Sequence, residues 1–321
     1  MKILITGGAG FIGSHLSDQL VSSGHQVTVL DSASTGRLSN LSQVINSQNF
    51  KVVEGSILDT RVLDPLIKNV DYVFHLAAAV GVFNIVNNPL ASLLTNIRGT
   101  ENVLESAHNS NTPVFLSSSS EVYGKNTSDS LKESDDRILG SPVTLRWSYS
   151  EAKAIDESLA YAYYVEKQLE TRIVRFFNTV GPRQLGAYGM VVPRFVHAAL
   201  NDEPITIYGD GNQTRCFTHV YDVVEAVVAI AFADNTIGKV INIGNDSEIS
   251  IKDLAKKIIS ETGSKSEIVY VPYEEAYGDG FEDMERRVPN IDLIKELVDW
   301  KPQRDLSTMI TDISTEMMKL T

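Results

Sequence analysis

Residues 3–13 read Ile3-Leu4-Ile5-Thr6-Gly7-Gly8-Ala9-Gly10-Phe11-Ile12-Gly13. A short apolar run meets a glycine cluster, and a helical pattern follows from Phe11 to Ser23. The run is too short for a helix and apolar at successive positions, which suits a strand buried on both faces. Working outward, the same pattern returns. Candidate strands are Lys2–Thr6, Gln26–Leu30, Lys51–Glu54, Tyr72–Leu76, Val114–Ser117 and Thr171–Phe176. Candidate helices lie near Phe11–Ser23, Leu90–His108 and Tyr149–Glu166. Apolar strands alternating with helices predict an α/β fold of the Rossmann type, a doubly wound parallel sheet.

Beyond Asn178 the alternation loosens, and Gly and Pro punctuate the chain through Gly211. A helix at Val220–Ala233 and a strand at Val240–Ile243 read as a return to the sheet. Helices near Ile251–Thr262, Asp292–Val298 and Leu306–Lys319 finish the chain. The expected organisation is one domain from 1–177 plus 218–243. A smaller, discontinuous lobe takes 178–217 plus 244–321.

The glycine spacing carries chemistry. Gly7, Gly10 and Gly13 let the turn tighten, let backbone N–H groups approach a pyrophosphate, and let helix pack on strand. The strand–turn–helix setting makes the signal specific. Asp31 ends the second strand, where a carboxylate accepts from a ribose 2′-OH and repels a 2′-phosphate. That favours NAD over NADP. Arg37 reads as a solvated loop charge.

Composition narrows the partners. A net charge of −13 argues against nucleic acid or an anionic membrane. A single cysteine, Cys216, excludes an internal disulfide and fits a reducing compartment. The His and Cys residues show no metal-ligand spacing. No signal-peptide pattern and no apolar run of membrane-spanning length is visible, so the cytoplasm is the simplest location.

Two further stretches point to a reaction. One is Ser117-Ser118-Ser119-Ser120-Glu121-Val122-Tyr123-Gly124, and the other is Tyr149-Ser150-Glu151-Ala152-Lys153. Tyr149 and Lys153 lie one helical turn apart on one face. An ammonium near a phenol favours the phenolate, a base able to take a proton from an alcohol. A strand-end hydroxyl supplies a second hydrogen-bonding group.

From Gly7 to Lys153 the chain resembles an extended short-chain dehydrogenase/reductase of the nucleotide-sugar epimerase/dehydratase group. Further marks are His75-Leu76-Ala77-Ala78, Asn96-Ile97-Arg98-Gly99-Thr100, Arg175-Phe176-Phe177-Asn178, Gly181-Pro182-Arg183 and Tyr208-Gly209-Asp210-Gly211 before Arg215. The resemblance implies that Ser119, Tyr149 and Lys153 form a catalytic triad. It implies a cofactor site of Gly7, Gly10, Phe11, Ile12, Gly13, Asp31, Ser56, Ile57, Leu76, Ala77 and Ala78 with Tyr149 and Lys153. Asn178, Arg194 and Arg215 would hold a nucleotide diphosphate. The family usually has an acid where Ser56 stands, so altered affinity is expected there. A homodimer through helices near 90–108 and 149–166 is also implied.

Within the family, Ser120-Glu121, Arg146 three residues before Tyr149, and the segment from Ala276 to Pro289 are similar to enzymes that decarboxylate UDP-glucuronate. Arg146 and one of Arg286 and Arg287 would bind the substrate carboxylate, since guanidinium pairs bidentately with it. Ser120 and Glu121 would join the catalytic set, with Glu121 either repelling the substrate carboxylate or handling the C5 proton. The segment Gly186-Ala187-Tyr188-Gly189-Met190 is similar instead to 4-epimerases, which keeps a UDP-sugar 4-epimerase as the alternative. Other residues read blandly. His75 closes a strand, Cys216 is a small core filler, and Trp147 is packing. Tyr161, Tyr163 and Tyr164 belong to an interface or the core.

Overall fold

The computed structural model describes residues 1–81, 87–184, 186, 190–272, 275, 284 and 286–320. Its main sheet joins β1 Lys2–Thr6, β2 Gln26–Asp31, β3 Phe50–Glu54, β4 Tyr72–His75, β5 Val114–Ser119, β6 Thr171–Phe176 and β7 Val240–Ile243. All neighbours are parallel, in the order β7-β6-β5-β4-β1-β2-β3. The order reverses between β1 and β4, and a crevice opens there beyond the strand ends. The turns after β1 (Gly7) and β4 (Leu76) both meet that crevice.

The helices of this half are α1 Phe11–Ser22, α2 Thr60–Lys68, α3 Pro89–Ser110 and α4 Ser148–Lys167. Those of the second half are α5 Val191–Leu200, α6 Val220–Ala231, α7 Ile251–Thr262, α8 Asp292–Val298 and α9 Leu306–Leu320. Successive strand side chains point to opposite faces, so both faces must be apolar. Ile3 and Ile5 join one cluster with Leu16 and Leu20 of α1 and Val223, Val227 and Ile230 of α6. Leu4 between them joins the other, with Ile67 of α2, Val103 and Leu104 of α3 and Ala160 of α4. A third cluster gathers Val192, Phe195 and Val196 of α5, Leu254 and Ile258 of α7, and Met309, Ile310 and Ile313 of α9.

Three features escaped the sequence reading. Helix α2 carries Pro65, which reads as a breaker. It survives because Pro65 removes a single N–H, while Asp59 caps the start by accepting from the Arg61 amide at 3.1 Å. Helix α5 lies in the Gly- and Pro-rich stretch. Strands of two to four residues also flank the crevice. Thr214–Cys216 pairs with Glu248–Ser250 on one side and Arg286–Arg287 on the other. Such short runs carry no readable period.

Candidate active site

A cavity of about 770 Å³ occupies the crevice. Its dinucleotide end is backbone. Gly7 has φ +73°, and a Cβ there would stand 2.7 Å from the Ala77 amide nitrogen. A Cβ on Gly13 would stand 2.3 Å from the Gly7 carbonyl oxygen. Only glycine permits both approaches. Helix α1 starts at Gly10 without a side-chain cap, so its first amides keep donors for an anion. Asp31 accepts from the Ala9 amide at 2.9 Å through Oδ2 and from the Ala33 amide at 2.8 Å through Oδ1. Its carboxylate is therefore pinned in the cavity wall. Phe11, Ile12, Ser56, Ile57, Leu76, Ala77 and Ala78 line the same end. The set fits a dinucleotide: a tight glycine cradle, open amides and a fixed carboxylate.

The sequence did not single out the loop after Asp31. Gly36 packs on the backbone of Ala9, and the Asn40 amide nitrogen donates to the Ala9 carbonyl at 2.9 Å. The loop thus braces the glycine turn. Its only sequence signal is a Ser- and Gly-rich composition.

At the far end, Asn178, Arg194 and Arg215 line the wall. Asn178 donates to the Cys216 carbonyl at 3.0 Å. The Arg194 guanidinium stacks 4.4 Å above the Tyr208 ring, and its buried Nε has no partner among the described residues. Cys216 is buried and its thiol is pushed up to about 12 by burial, so it stays protonated.

Between the two ends sit the charged groups. Ser119 ends β5 and caps a tight turn by accepting from the Glu121 amide at 3.2 Å. That turn carries Glu121 back to the cavity. Arg146 Nη1 lies 2.6 Å from Glu121 Oε2, and Arg287 Nη2 lies 2.8 Å from Oε1. The Ser120 hydroxyl accepts from Arg287 Nη1 at 3.3 Å. Burial pushes the Glu121 carboxyl up, but the two guanidinium charges, Arg287 and then Arg146, outweigh it and hold it down to about 2.

Arg286 and Arg287 part company here. Parallel pairing sets Arg287 beside Arg215 and Arg286 beside Thr214. Alternation sends Arg287 inward and Arg286 outward. Arg286 is exposed, with Nε 2.8 Å from Glu248 Oε1, and lies outside the cavity. Its expected contact with substrate is thereby corrected. Residues 276–283 and 285, and 187–189 of the other branch-marking stretch, lie outside the described residues.

Tyr149 lines the cavity with Ser119, which hydrogen-bonds the phenol. Lys153 lies beneath the wall rather than in it. Its Nζ donates to the Ser117 carbonyl at 3.0 Å and to Asp156 Oδ2 at 3.1 Å. A phenolate favoured by Lys153 was expected. Instead the Tyr149 phenol is pushed up, by burial first and then by the Glu121 and Asp156 charges. Lys153 is already balanced by a buried carboxylate, so it does not act as a lone positive charge. Asp156 went unnoticed in the sequence because an acid one turn past Lys153 reads as a solvated i,i+3 partner.

Among the described residues no His, Cys, Asp and Glu cluster is placed to hold a metal, and no helix is long and apolar enough to cross a membrane. Residues 4–313 match the family described as GDP-mannose 4,6 dehydratase. UDP-N-acetyl-alpha-D-glucosaminuronate decarboxylase of Bacillus cytotoxicus is 42% identical over 94% of this chain and 92% of its own length. UDP-glucuronic acid decarboxylase 1 of Xenopus tropicalis is 38% identical over 94% of this chain and 68% of that protein. A solved UDP-glucuronic acid 4-epimerase from Bacillus cereus, in complex with UDP-glucuronic acid and NAD, superposes with a TM-score of 0.90. It is 29% identical, with 100% of each chain covered. Glycine cradle, pinned Asp31 and the Tyr149 neighbourhood agree with these likenesses, and the chain belongs to the extended short-chain dehydrogenase/reductase family of NAD-dependent nucleotide-sugar decarboxylases, epimerases and dehydratases.

Proposed function

We propose that this enzyme oxidises a UDP-linked uronic acid at C4 and then releases its carboxylate as CO₂, with UDP-glucuronate the first candidate substrate. The reading is carried by Glu121 held between Arg146 and Arg287 beside Tyr149. Two guanidinium groups meet at one carboxylate in the cavity wall. The Arg287 Nε–H also has no partner among the described residues. A second carboxylate, brought by the substrate, pairs with that N–H. A neutral hexose does not.

The chemistry follows from these groups. Bound NAD⁺ supplies the hydride acceptor. Beside the cationic ring of bound NAD⁺ the Tyr149 phenol, pushed up by burial in the free protein, would ionise; it then takes the C4 hydroxyl proton, and Ser119 holds the same oxygen in line. Oxidation makes C4 a ketone, and the C5 carboxylate is then β to it. Its C–C bond breaks, CO₂ leaves, and the electron pair moves into the ketone as an enolate. The Tyr149 proton stabilises that oxygen. Glu121 stands against the departing carboxylate and favours its loss. Arg194 and Arg215, with Asn178, would receive the UDP diphosphate. Names of the decarboxylase relatives support this substrate class, and the Bacillus cytotoxicus relative makes the 2-acetamido uronate the second substrate to try. Incubation with NAD⁺ and each UDP-uronate, followed by product mass, tests the reading. No loss of CO₂ from either substrate would sink it.

A 4-epimerase of the same substrates is the second reading, favoured by the likeness to the Bacillus cereus epimerase. It predicts an isobaric product. Exposed Ile155, Tyr161 and Val165 on α4 support a homodimer through that face. Light scattering that returns a monomer at all concentrations counts against the dimer.

A further inference from the structure

Glu121 and Arg287 come from segments far apart in the chain, yet their charged atoms lie 2.8 Å apart. Glu121 rides on the turn Ser120–Tyr123, and Arg287 ends the short strand Arg286–Arg287. One side chain on β7 joins the two. Asn242 is fully buried, as is Tyr123 at the end of the turn. The Tyr123 hydroxyl donates to Asn242 Oδ1 at 2.8 Å. Asn242 Nδ2 donates to the Leu131 carbonyl at 2.9 Å and to the Asn290 carbonyl at 3.2 Å. Leu131 in turn grips the chain just past Arg287. Its amide donates to the Val288 carbonyl at 2.8 Å, and its carbonyl accepts from the Asn290 amide at 2.8 Å.

The orientation of the Asn242 amide follows from its partners. Both carbonyls only accept, so the nitrogen must face them and the oxygen must face Tyr123. Both amide hydrogens are used, in an interior where unpaired ones would be costly. The segment that it holds is braced from the other side. The Asn242 backbone N–H donates to Glu133 Oε1 at 2.9 Å, and Arg175 Nη1 donates to the Glu133 carbonyl at 3.1 Å. Arg175 is itself locked to Glu157 of α4, through Nε at 2.9 Å and Nη2 at 2.8 Å. Pro289 packs on the end of β7, where a Cβ on Gly244 would stand 2.6 Å from its Cγ. None of Asn242, Tyr123 and Leu131 lines the cavity, so their bonds act on the wall rather than on a ligand. Stability alone would not require them, since apolar groups of the same shape can replace a buried hydrogen-bonded pair at little cost. What the polar version adds is a fixed distance between the turn and the strand.

Resting on the reading of Glu121 and Arg287 above, we propose that Asn242 is a positioning residue for the loss of CO₂. It ties the turn that carries Glu121 to the strand that carries Arg287, and so sets the spacing of the two charges that meet the substrate carboxylate.

Asn242→Asp keeps the shape and turns two donors into an acceptor that faces two carbonyls. In a single turnover with UDP-glucuronate and NAD⁺, CO₂ release falls about tenfold, within the cost of misplacing a group by less than about 1 Å, while NAD⁺ reduction changes by less than about twofold. The oxidation is spared because no bond of the tie reaches Tyr149 or the dinucleotide end. General damage to the fold would lower both signals together. Equal losses in the two, or a lower melting temperature with CO₂ release intact, overturn the proposal. If the Asp variant does not fold, Tyr123→Phe decides. It removes one hydroxyl and keeps the ring, which stays against the Arg175 guanidinium 4.7 Å away. A selective fall in CO₂ release supports the tie, and equal losses or wild-type behaviour overturn it. A second measurement asks whether the effect passes through Glu121. In a Glu121→Gln background, Tyr123→Phe should cost almost nothing further in CO₂ release, because substitutions within one network do not add. A full additional loss overturns the proposal. Glu121→Gln alone is the control. If it releases CO₂ as wild type does, the underlying reading has failed; if its CO₂ release collapses while Asn242→Asp and Tyr123→Phe match wild type, only this proposal has.

Discussion

The two ends of the cavity are built from different material. The dinucleotide end is backbone: glycines at three closely spaced positions, free amides of α1, and Asp31 pinned by two amides. The sugar end is side-chain charge carried in from three separate segments at Glu121, Arg146 and Arg287. Backbone sites are determined by where the chain can bend. Charge clusters are determined by which distant segments the fold brings together. The first tolerates almost no substitution by volume, and the second almost none by charge.

Tyr149 stands where the two ends meet, and losing it has the largest effect. Tyr149→Phe removes the group that takes the proton. The expected loss is about a thousandfold in turnover, as for a general base. NAD binding, measured by fluorescence titration, stays close to wild type, because the cradle is untouched. A variant that loses both at once would erase the separation between the ends.

Glu121→Gln tests the charged end alone. CO₂ release falls about a hundredfold while reduction of NAD⁺ persists in part, if the charge acts after oxidation. Equal losses in the two signals confine Glu121 to the fold or to the first step. The variant also removes the anion that the two guanidinium groups share, which costs about 3 kcal/mol of stability. The pH dependence has a definite sign. Folding holds the carboxyl below its ordinary value, so its stabilisation is complete above 4.5 and drains away as pH falls toward about 2. Wild type therefore loses melting temperature through that window more steeply than the Gln variant. Parallel curves would mean that the carboxyl is not held down.

This difference in material also explains what was legible beforehand. The sheet, its order-reversing crevice and the glycine cradle follow from contiguous motifs. Their cause is local: no other residue fits Gly7 or Gly13. The residue types at the sugar end were legible too, but not their pairing. Nothing local says that Glu121 engages both arginines, or that strand alternation turns Arg286 away. Lys153 was read as a partner of Tyr149. Its buried counter-charge was not, because Asp156 differs from a surface acid only by the packing of α3 against α4.

Gly13→Ala tests the backbone end by volume. The new methyl meets the Gly7 carbonyl oxygen at 2.3 Å, and a backbone atom cannot swing aside. Overpacking of this kind costs about 2 kcal/mol, or roughly thirtyfold in NAD affinity if the strain falls on the cradle. The Glu121 cluster is remote in material, so the ratio of CO₂ released to substrate oxidised should hold at saturating NAD⁺. A changed ratio would show that the ends are coupled.

Ser56→Asp brings the smallest change and the finest test. Ser56 lines the dinucleotide end, and its hydroxyl already accepts from the Leu58 amide at 3.2 Å. An Asp there can keep that bond with one oxygen and offer the other to an adenine amino group. One added hydrogen bond is worth about 1 kcal/mol, so NAD should bind about fivefold tighter by titration. Turnover at saturating NAD⁺ should not move, because the site lies at the far end from Tyr149. Weaker binding would mean that the added charge is repelled by the pyrophosphate or by Asp31 more than the adenine repays, and that a single hydroxyl is the better fit to this cradle. Even this backbone end would then be tuned by charge, and the contrast between the two ends would narrow to one of degree.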